Sequence, residues 1–434
     1  MPRRILFLRI TSNYIGPYVE LRLLNKRYPL KSHVYEKVEC AQVDGEDQLL
    51  VTIVPRSNGQ KTCSNCQRVG CPGYDTLKPR QVEFVPMLGM KVYFCFTPRR
   101  VNCPWCGPTV EALPWVNGKS TVSIPLMLMF SFWAKLISYT GVAKQFGATY
   151  KQVFEAVEYV VSFGLQNRVL SGITAIGVDE IQVKLGHVYM TLVYQIDNHC
   201  RRLLWMGEGR TEEVLDSFFD LFSSCLSSVQ YVCSDMWRPY LNVIKSRLPT
   251  AVNILDRFHI VQNLNKAMDQ VRREETRDLK AKGYEPHLTG TRWCFLKNAC
   301  NLTSKQAERL KETLKYNLKS TKAYLLKEDF QRLWSINQPA RATKFIDQWC
   351  SRVMYSKIEP MKKFARSMRR HKPLILNYFK AKKQFSSGAV EGMNSFAKLA
   401  MRKSFGFKTK KALKITLFHQ LGDLPEPQLT HKLW

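Results

Sequence analysis

Three carboxylates in this 434-residue chain stand where carboxylates are costly. Asp179 closes the apolar run Ser171–Glu180, SGITAIGVDE. Asp235 closes a second, Ser228–Asp235, SVQYVCSD. Glu391 stands at a helix start, SSGAVEGMNSFAK, as the only acid between Glu359 and Asp423. A carboxylate at the end of a buried strand is unfavourable unless it is paired, hydrated or bound to a cation. Mg²⁺ (or Mn²⁺) wants such hard oxygen ligands, and a pair of these ions stabilises the attacking and leaving oxygens of phosphodiester displacement. Asp179, Asp235 and Glu391 are therefore expected to meet, hold Mg²⁺ and cut DNA. For Glu391, alone among cations, a plain ion pair is the competing expectation.

The elements around these acids follow from the hydrophobic pattern. Strands are expected over Ile173–Asp179, Val188–Ile196 and Arg202–Gly207, a helix over Glu212–Ser223, a strand over Val229–Ser234, a helix over Pro239–Leu248 and a strand over Ala251–Leu255. Three strands, helix, strand, helix, strand is the order of a ribonuclease-H-like core. There the first and fourth strands lie side by side, which makes Asp179 and Asp235 neighbours and turns Glu180 to the opposite face. From Arg257 to about Gln384 the pattern is almost wholly helical, with a capping box at Thr303 and Gln306 and Pro286, Pro339 and Pro373 as punctuation. Such a run is too long for a loop. It is expected as an inserted helical domain, 261–384, dividing the catalytic core into 169–260 and 385–420. Lys398 and Arg402 follow Glu391 about two and three turns on, on its helix face, where they would hold phosphates without reading sequence.

Upstream, 36–118 holds Cys63-Ser-Asn-Cys66 and Cys103-Pro-Trp-Cys106. Two such knuckles give Zn²⁺ four thiolates; buried core cysteines are the alternative. The 36-residue gap is longer than in common zinc ribbons and accommodates a hairpin such as Gln81–Thr97. Cys71 and Cys95 are expected to be non-ligands. Region 119–168 reads as helices, one over Leu126–Ser138, then a pair with the rhythm of a helix-turn-helix, GVAKQFG followed by ATYKQV. Lys151 and Gln152 on the second helix are the candidate DNA contacts, although Glu155 and Glu158 beside them argue against direct base reading. A plain helical hairpin is the alternative. Residues 1–35 are an unassigned arm.

The expected fold class is thus multidomain α/β, with a zinc-ribbon-like region and a helix-turn-helix ahead of a ribonuclease-H-like core that carries a helical insertion. Charge fits a polyanionic partner: 66 Lys+Arg against 35 Asp+Glu leave +31, and counterion release favours DNA binding. Over half of the excess, a net +17, lies between Arg341 and Lys414, around Glu391. No segment is expected to span a membrane: Val122–Ser138 is broken by Pro125 and Lys135. The thirteen Cys, without an even framework, suggest reduced thiols and a cytoplasmic protein.

From about residue 60 to 410 the chain resembles transposases of the ISL-three family of bacterial insertion sequences. The resemblance rests on CSNC and CPWC, on GVAKQFG with QVFEAV, on GVDE at 177–180, SDMWRPY at 234–240, DRFHI at 256–260, RWCFLKN at 292–298 and EGMNSFAKLAMRKSFGF at 391–407. The last block is the most specific, since it keeps Glu391, Asn394, Lys398, Arg402 and Gly406 together. The family implies a DDE mechanism with Asp179, Asp235 and Glu391 as the metal-binding triad, a zinc-binding N-terminal region, a helix-turn-helix and a helical insertion. It implies binding to terminal inverted repeats, hydrolytic nicking and attack of the freed 3′-OH on target DNA. A homo-oligomer on DNA, at the nucleoid in the bacterial cytoplasm, is expected. Asp256 and His259 match a D-x₂-H motif of related transposases and are expected near the site, His259 serving equally well as a core histidine. Two rival functions are a nuclease or junction resolvase without strand transfer, and a DNA-binding regulator with a dead core. The three intact acids count against the latter.

Overall fold

In the computed structural model, which describes residues 18–184, 186, 188–284, 287–316, 318–383, 388–404, 406–407 and 409–428, the chain falls into two units. The first comprises the described residues up to Arg168 with Ala400–Gln420 and those from Leu424 on; the second comprises Val169–Leu399 and Leu421–Asp423.

The first unit opens with α1 (Tyr18–Arg27). Seven strands follow: β1 (His33–Val43), β2 (Glu46–Pro55), β3 (Gly73–Thr76), β4 (Arg80–Met87), β5 (Met90–Phe96), β6 (Arg99–Cys103) and β7 (Gly107–Val110). They make a four-stranded sheet, β1-β2-β5-β4, and a three-stranded one, β3-β6-β7. Leu24, Tyr28 and Leu30 are buried in the same core as the larger sheet. The described part of the expected arm, from residue 18, thus belongs to this unit, because its apolar side chains find a face to cover. The expected hairpin is β4 and β5, turned at Leu88 (φ 52°) and Gly89 (φ 82°), a pair of left-handed residues suited to the twist of a two-residue hairpin. Val82 and Phe84 on one strand, and Val92, Phe94 and Phe96 on the other, alternate into the core.

Three helices follow: α2 (Ile124–Leu136), α3 (Tyr139–Phe146) and α4 (Tyr150–Asn167). Ser123 caps α2 by accepting from the Leu126 N–H at 3.4 Å. Gly147, in the left-handed region, ends α3, and Thr149 with Gln152 starts α4 as a reciprocal capping box. α3 and α4 thus meet about a left-handed glycine, which a helix-turn-helix and a plain helical hairpin share.

The second unit begins with β8 (Ala175–Lys184), β9 (Val188–Asp197), β10 (Cys200–Glu208), α5 (Glu212–Phe222), β11 (Tyr231–Ser234), α6 (Arg238–Arg247) and β12 (Val252–Leu255). The sheet order is β10-β9-β8-β11-β12, with β8, β9 and β10 antiparallel and β8, β11 and β12 parallel. Numbered within this sheet, the order is 3-2-1-4-5, so the first and fourth strands are neighbours. One face packs Ile176, Val178, Val193, Leu204 and Val232 against Leu215 and Phe218 of α5 and Tyr240 and Ile244 of α6.

A helical run follows: α7 (Arg257–Ala281), α8 (Arg292–Leu296), α9 (Ser304–Thr313), α10 (Lys319–Gln331), α11 (Pro339–Tyr355) and α12 (Glu359–Lys380). The capping box at Thr303 and Gln306 is formed. Pro339 starts α11, as proline suits a first helical turn, but Pro373 lies inside α12 rather than ending it. Met368, Ile375 and Phe379, buried on both sides of that proline, hold the helix through the break. Pro286 lies outside the described residues. Lys327 is fully buried; its Nζ donates to the Phe295 carbonyl at 2.8 Å and pairs with Glu328 at 2.8 Å, anchoring α8 to α10.

The chain ends in α13 (Gly388–Lys403) and α14 (Lys410–Leu421). Residues 385–420, expected to remain with the core, are divided: α13 up to Leu399 groups with the second unit and Ala400–Gln420 with the first. The Thr416 and Tyr139 hydroxyls lie 3.0 Å apart and His419 Nε2 lies 2.9 Å from Ser131 Oγ, polar contacts within the first unit. No described helix is long and apolar enough to cross a membrane.

Candidate active site

Parallel pairing of Ala175, Ile176 and Gly177 with Tyr231, Val232 and Cys233 sets the register of β8 and β11. Two residues further, that register brings Asp179 and Asp235 to the same level. The strand does not end at Asp179. It runs on to Lys184 because β9 keeps pairing with it, Asp179 opposite Leu192 and Glu180 opposite Thr191, while the β11 pairing stops at Gly177. Beyond Gly177 the edge of β8 that pairs with β11 makes no further strand pairing with it, while the β9 edge stays paired.

Asp179 Oδ1 accepts from the Glu180 N–H at 2.8 Å, and Oδ2 accepts from Asn394 Nδ2 at 2.6 Å. Burial pushes its carboxyl up to about 7; the Glu180 N–H opposes the rise, Glu180 and Asp256 add to it by charge, and Lys398 opposes it. Asp235 Oδ1 accepts from the Trp237 N–H at 2.8 Å. Burial pushes it, too, up to about 7, with the charge of Glu180 the next cause and that of Asp179 a smaller one, against His259. For both acids ionisation carries a cost that a neighbouring positive charge would relieve.

Asp256 caps α7, accepting from the Phe258 N–H at 2.6 Å, and its Oδ2 lies 3.3 Å from His259 Nδ1. The Asp256 N–H donates to the carbonyl of Ser234, the residue before Asp235, at 2.8 Å, and the charge of Asp256 adds to the rise of Asp179. Glu391 lies in the first turn of α13 with its side chain exposed. The same helix lays Val390 against Gly177 and Asn394 against Asp179, so Glu391 is one turn from a residue that touches the first aspartate. Lys398 is exposed one turn beyond Asn394 and its charge reaches Asp179. Arg402, also exposed, lies in the part of α13 that groups with the first unit.

Residues without an assigned role in the sequence prove to be contacts here. Asn394 was visible only as a member of a motif. Tyr194, fully buried, donates its hydroxyl to Asn394 Oδ1 at 2.7 Å; in the sequence it is one more aromatic of a strand. Glu180 is an electrostatic neighbour of Asp235 and faces Arg210 at 3.8 Å. The Arg210 guanidinium stacks over the rings of Tyr189 (4.3 Å) and Trp237 (4.8 Å). Nothing in a local pattern links three residues so far apart in sequence.

In the first unit, Cys63, Cys66, Cys103 and Cys106 bring their sulfurs within 4.8 Å of one another. Among the described residues this is the one group of three or more His, Cys, Asp or Glu so close; the core acids do not form such a group. Backbone N–H groups of Trp105 and Cys106 help draw the Cys103 thiol down to about 6, while the neighbouring Cys66 pushes Cys106 up to about 12. Crowded sulfurs with one already favouring thiolate suit a soft divalent ion. Cys71, buried, bonds to the Arg68 carbonyl at 3.4 Å and stays outside the four.

On α4, Lys151 is exposed and pairs with Glu155 at 3.7 Å. Gln152, expected to contact DNA, closes the capping box, accepting from the Thr149 N–H at 2.8 Å and donating to Thr121 Oγ1 at 3.2 Å. An unpaired N–H at a helix start is a local demand that its amide meets.

A family model of ISL-three DDE transposases, described as a transposase, matches residues 176–417. The transposase for insertion sequence element IS1557 of Mycobacterium tuberculosis is 27% identical over 414 residues, 88% of this chain and 91% of that protein. The transposase for insertion sequence element IS1001 of Bordetella parapertussis is 26% identical over 352 residues, 80% of this chain and 86% of its own. Among solved structures, the Drosophila P element transposase strand transfer complex is similar over 68% of this chain and 92% of that chain, with a TM-score of 0.41 and 9% identity. The class is that of the transposases. Within it, this chain belongs to the ISL-three family of DDE transposases.

Proposed function

We propose that this transposase binds the terminal inverted repeats of an insertion sequence, nicks DNA at their ends and joins the freed 3′-OH to target DNA, on a ribonuclease-H-like core. The observation that carries the proposal is the pairing of β8 with β11, which brings Asp179 level with Asp235 under the helix bearing Glu391. Asp179, Asp235 and Glu391 would hold Mg²⁺ or Mn²⁺. Such ions supply Lewis-acid stabilisation of the attacking and leaving oxygens. Asp179 keeps acceptor capacity on both oxygens after its two hydrogen bonds, which suits a carboxylate shared between cations. Lys398, exposed and electrostatically felt at Asp179, would hold a phosphate near the scissile bond.

The rest of the chain would supply the DNA. Cys63, Cys66, Cys103 and Cys106 would hold Zn²⁺ in a structural role. The three-stranded sheet around them and the α3–α4 pair, Lys151 included, would engage the terminal repeats. The helical run 261–384 would act as an insertion in the core.

The test is nicking of an end-labelled terminal-repeat duplex in Mg²⁺. Wild type should cut, while Asp179→Asn, Asp235→Asn and Glu391→Gln should lose activity by orders of magnitude and still bind the duplex. A Glu391→Gln protein that cuts at the wild-type rate would move the third acid elsewhere, with Asp256 the first place to look.

A further inference from the structure

We infer that Asn394, whose amide the Tyr194 hydroxyl complements, is a positioning residue for Asp179: its amide aims that carboxylate at a divalent cation and fixes Glu391 in register with it. The inference rests on the triad proposed above and says how its first and third members are brought together.

Asn394 is 5% exposed and bonded at both ends of its amide. Nδ2 donates to Asp179 Oδ2 at 2.6 Å, and Oδ1 accepts the Tyr194 hydroxyl at 2.7 Å. Turned over, the amide would set Oδ1 against a carboxylate oxygen, acceptor against acceptor. The Asp179 carboxylate disfavours this, and the Tyr194 hydroxyl complements the kept orientation by donating to Oδ1. Tyr194 is fully buried and keeps its proton, so donating to Oδ1 is the arrangement that satisfies all three groups. An aspartate at 394 would place a like charge beside Asp179; a serine would be too short to meet both partners.

The consequence for Asp179 is specific. Oδ2 is held by the Asn394 amide and Oδ1 by the Glu180 N–H. One acceptor direction on each oxygen is filled and another on each remains. The carboxylate cannot rotate without breaking a bond at one end, so the free directions are fixed in space before a cation arrives. The same contact sets the register of α13. Val390 lies against Gly177 and Asn394 bonds Asp179. Two residues of the strand thus grip two residues one turn apart on the helix, and Glu391 lies between them.

The experiment measures Mn²⁺ binding by calorimetry to the full chain without DNA, with thermal melting in chelator alongside. Wild type, Asp179→Asn, Asn394→Ala, Tyr194→Phe and the Asn394→Ala/Tyr194→Phe double variant are compared. Asn394→Ala should weaken Mn²⁺ binding about tenfold or more, the usual consequence of losing a partner that orients a ligand. Tyr194→Phe should weaken it less. The double variant should be no weaker than Asn394→Ala, because both changes act through one amide. Lower melting temperatures with wild-type Mn²⁺ affinity in both single variants would reduce Asn394 to a packing residue and overturn the inference. Should Asn394→Ala not fold, Tyr194→Phe, which loses one hydroxyl, decides alone by the same criterion. Additive losses in the double variant would break the link from Tyr194 through the amide. Mn²⁺ binding by wild type that survives Asp179→Asn would mean that the triad itself is wrong, and the inference would fall with it.

Discussion

Val390 lies so close over Gly177 that a Cβ built on the glycine would come within 2.3 Å of Val390 Cγ2. The clash cannot be relieved cheaply, since a valine side chain in a helix has one strongly preferred rotamer. Gly177→Ala should therefore push α13 away from β8. Overpacking of this kind costs about 1–3 kcal/mol, readable in urea unfolding. Nicking should fall much further than stability, because Glu391 and Asn394 ride on the displaced helix. Wild-type stability and wild-type rate together would show that the helix is free to move there.

Ionisation of the two aspartates should be visible in stability without metal. Burial raises Asp179 and Asp235 from the usual carboxylate range to about 7 each. Carboxyls raised on folding contribute stability that is complete below their unfolded values near 4 and lost as pH rises through 7. In chelator, Asp179→Asn and Asp235→Asn should each flatten the decline of melting temperature between pH 4 and 7 and gain on wild type above it. Taking the difference between variant and wild type removes opposing groups such as His33 and His419, which burial lowers to about 4 and about 3. Parallel curves for variant and wild type would mean that the aspartates are solvated.

Glu180→Gln, from strand alternation alone, would be a silent control. The structure predicts otherwise. Glu180 is the leading charged neighbour that raises Asp235. Its neutralisation should move the Asp235 midpoint down from about 7 in a carboxyl NMR titration of the metal-free protein. An unmoved midpoint would restore Glu180 to the role of control.

Zinc should be bound at about one ion per chain, and Cys63→Ser or Cys103→Ser should release it. The three-stranded sheet has little else to hold it: its buried cluster is Cys63, Cys71, Val101 and Cys103. Metal removal should raise hydrogen exchange across β3, β6 and β7 and leave β1, β2, β4 and β5 protected. Freshly prepared protein that contains no zinc by elemental analysis would end this assignment.

Salt should weaken DNA binding steeply, given the net +17 between Arg341 and Lys414. Lys398→Ala and Arg402→Ala should each lower the slope of log affinity against log salt by about one, whatever the DNA sequence. Unchanged slopes in both would show that these side chains face away from DNA.

The sequence by itself determined the strands of the core sheet, the β4–β5 hairpin, the helices α2, α5 and α6 and the pairing of β8 with β11, because these rest on local periodicity and on a short list of strand orders. It determined the four cysteines for the same reason, since each knuckle is a local motif. It also set Asp179, Asp235 and Glu391 apart by their apolar or cationic surroundings. The tertiary structure alone decided the rest. The length of β8 past Asp179 depends on which neighbouring strand keeps pairing; Pro373 stays inside α12 because buried residues on both sides hold it; Gln152 turns to a cap because an N–H nearby needs it. Tyr194, Asn394 and Asp179 form one hydrogen-bonded line across 215 residues of chain. No periodicity encodes a contact of that span: its partners are chosen only when the helix has docked on the sheet and each buried donor must find an acceptor.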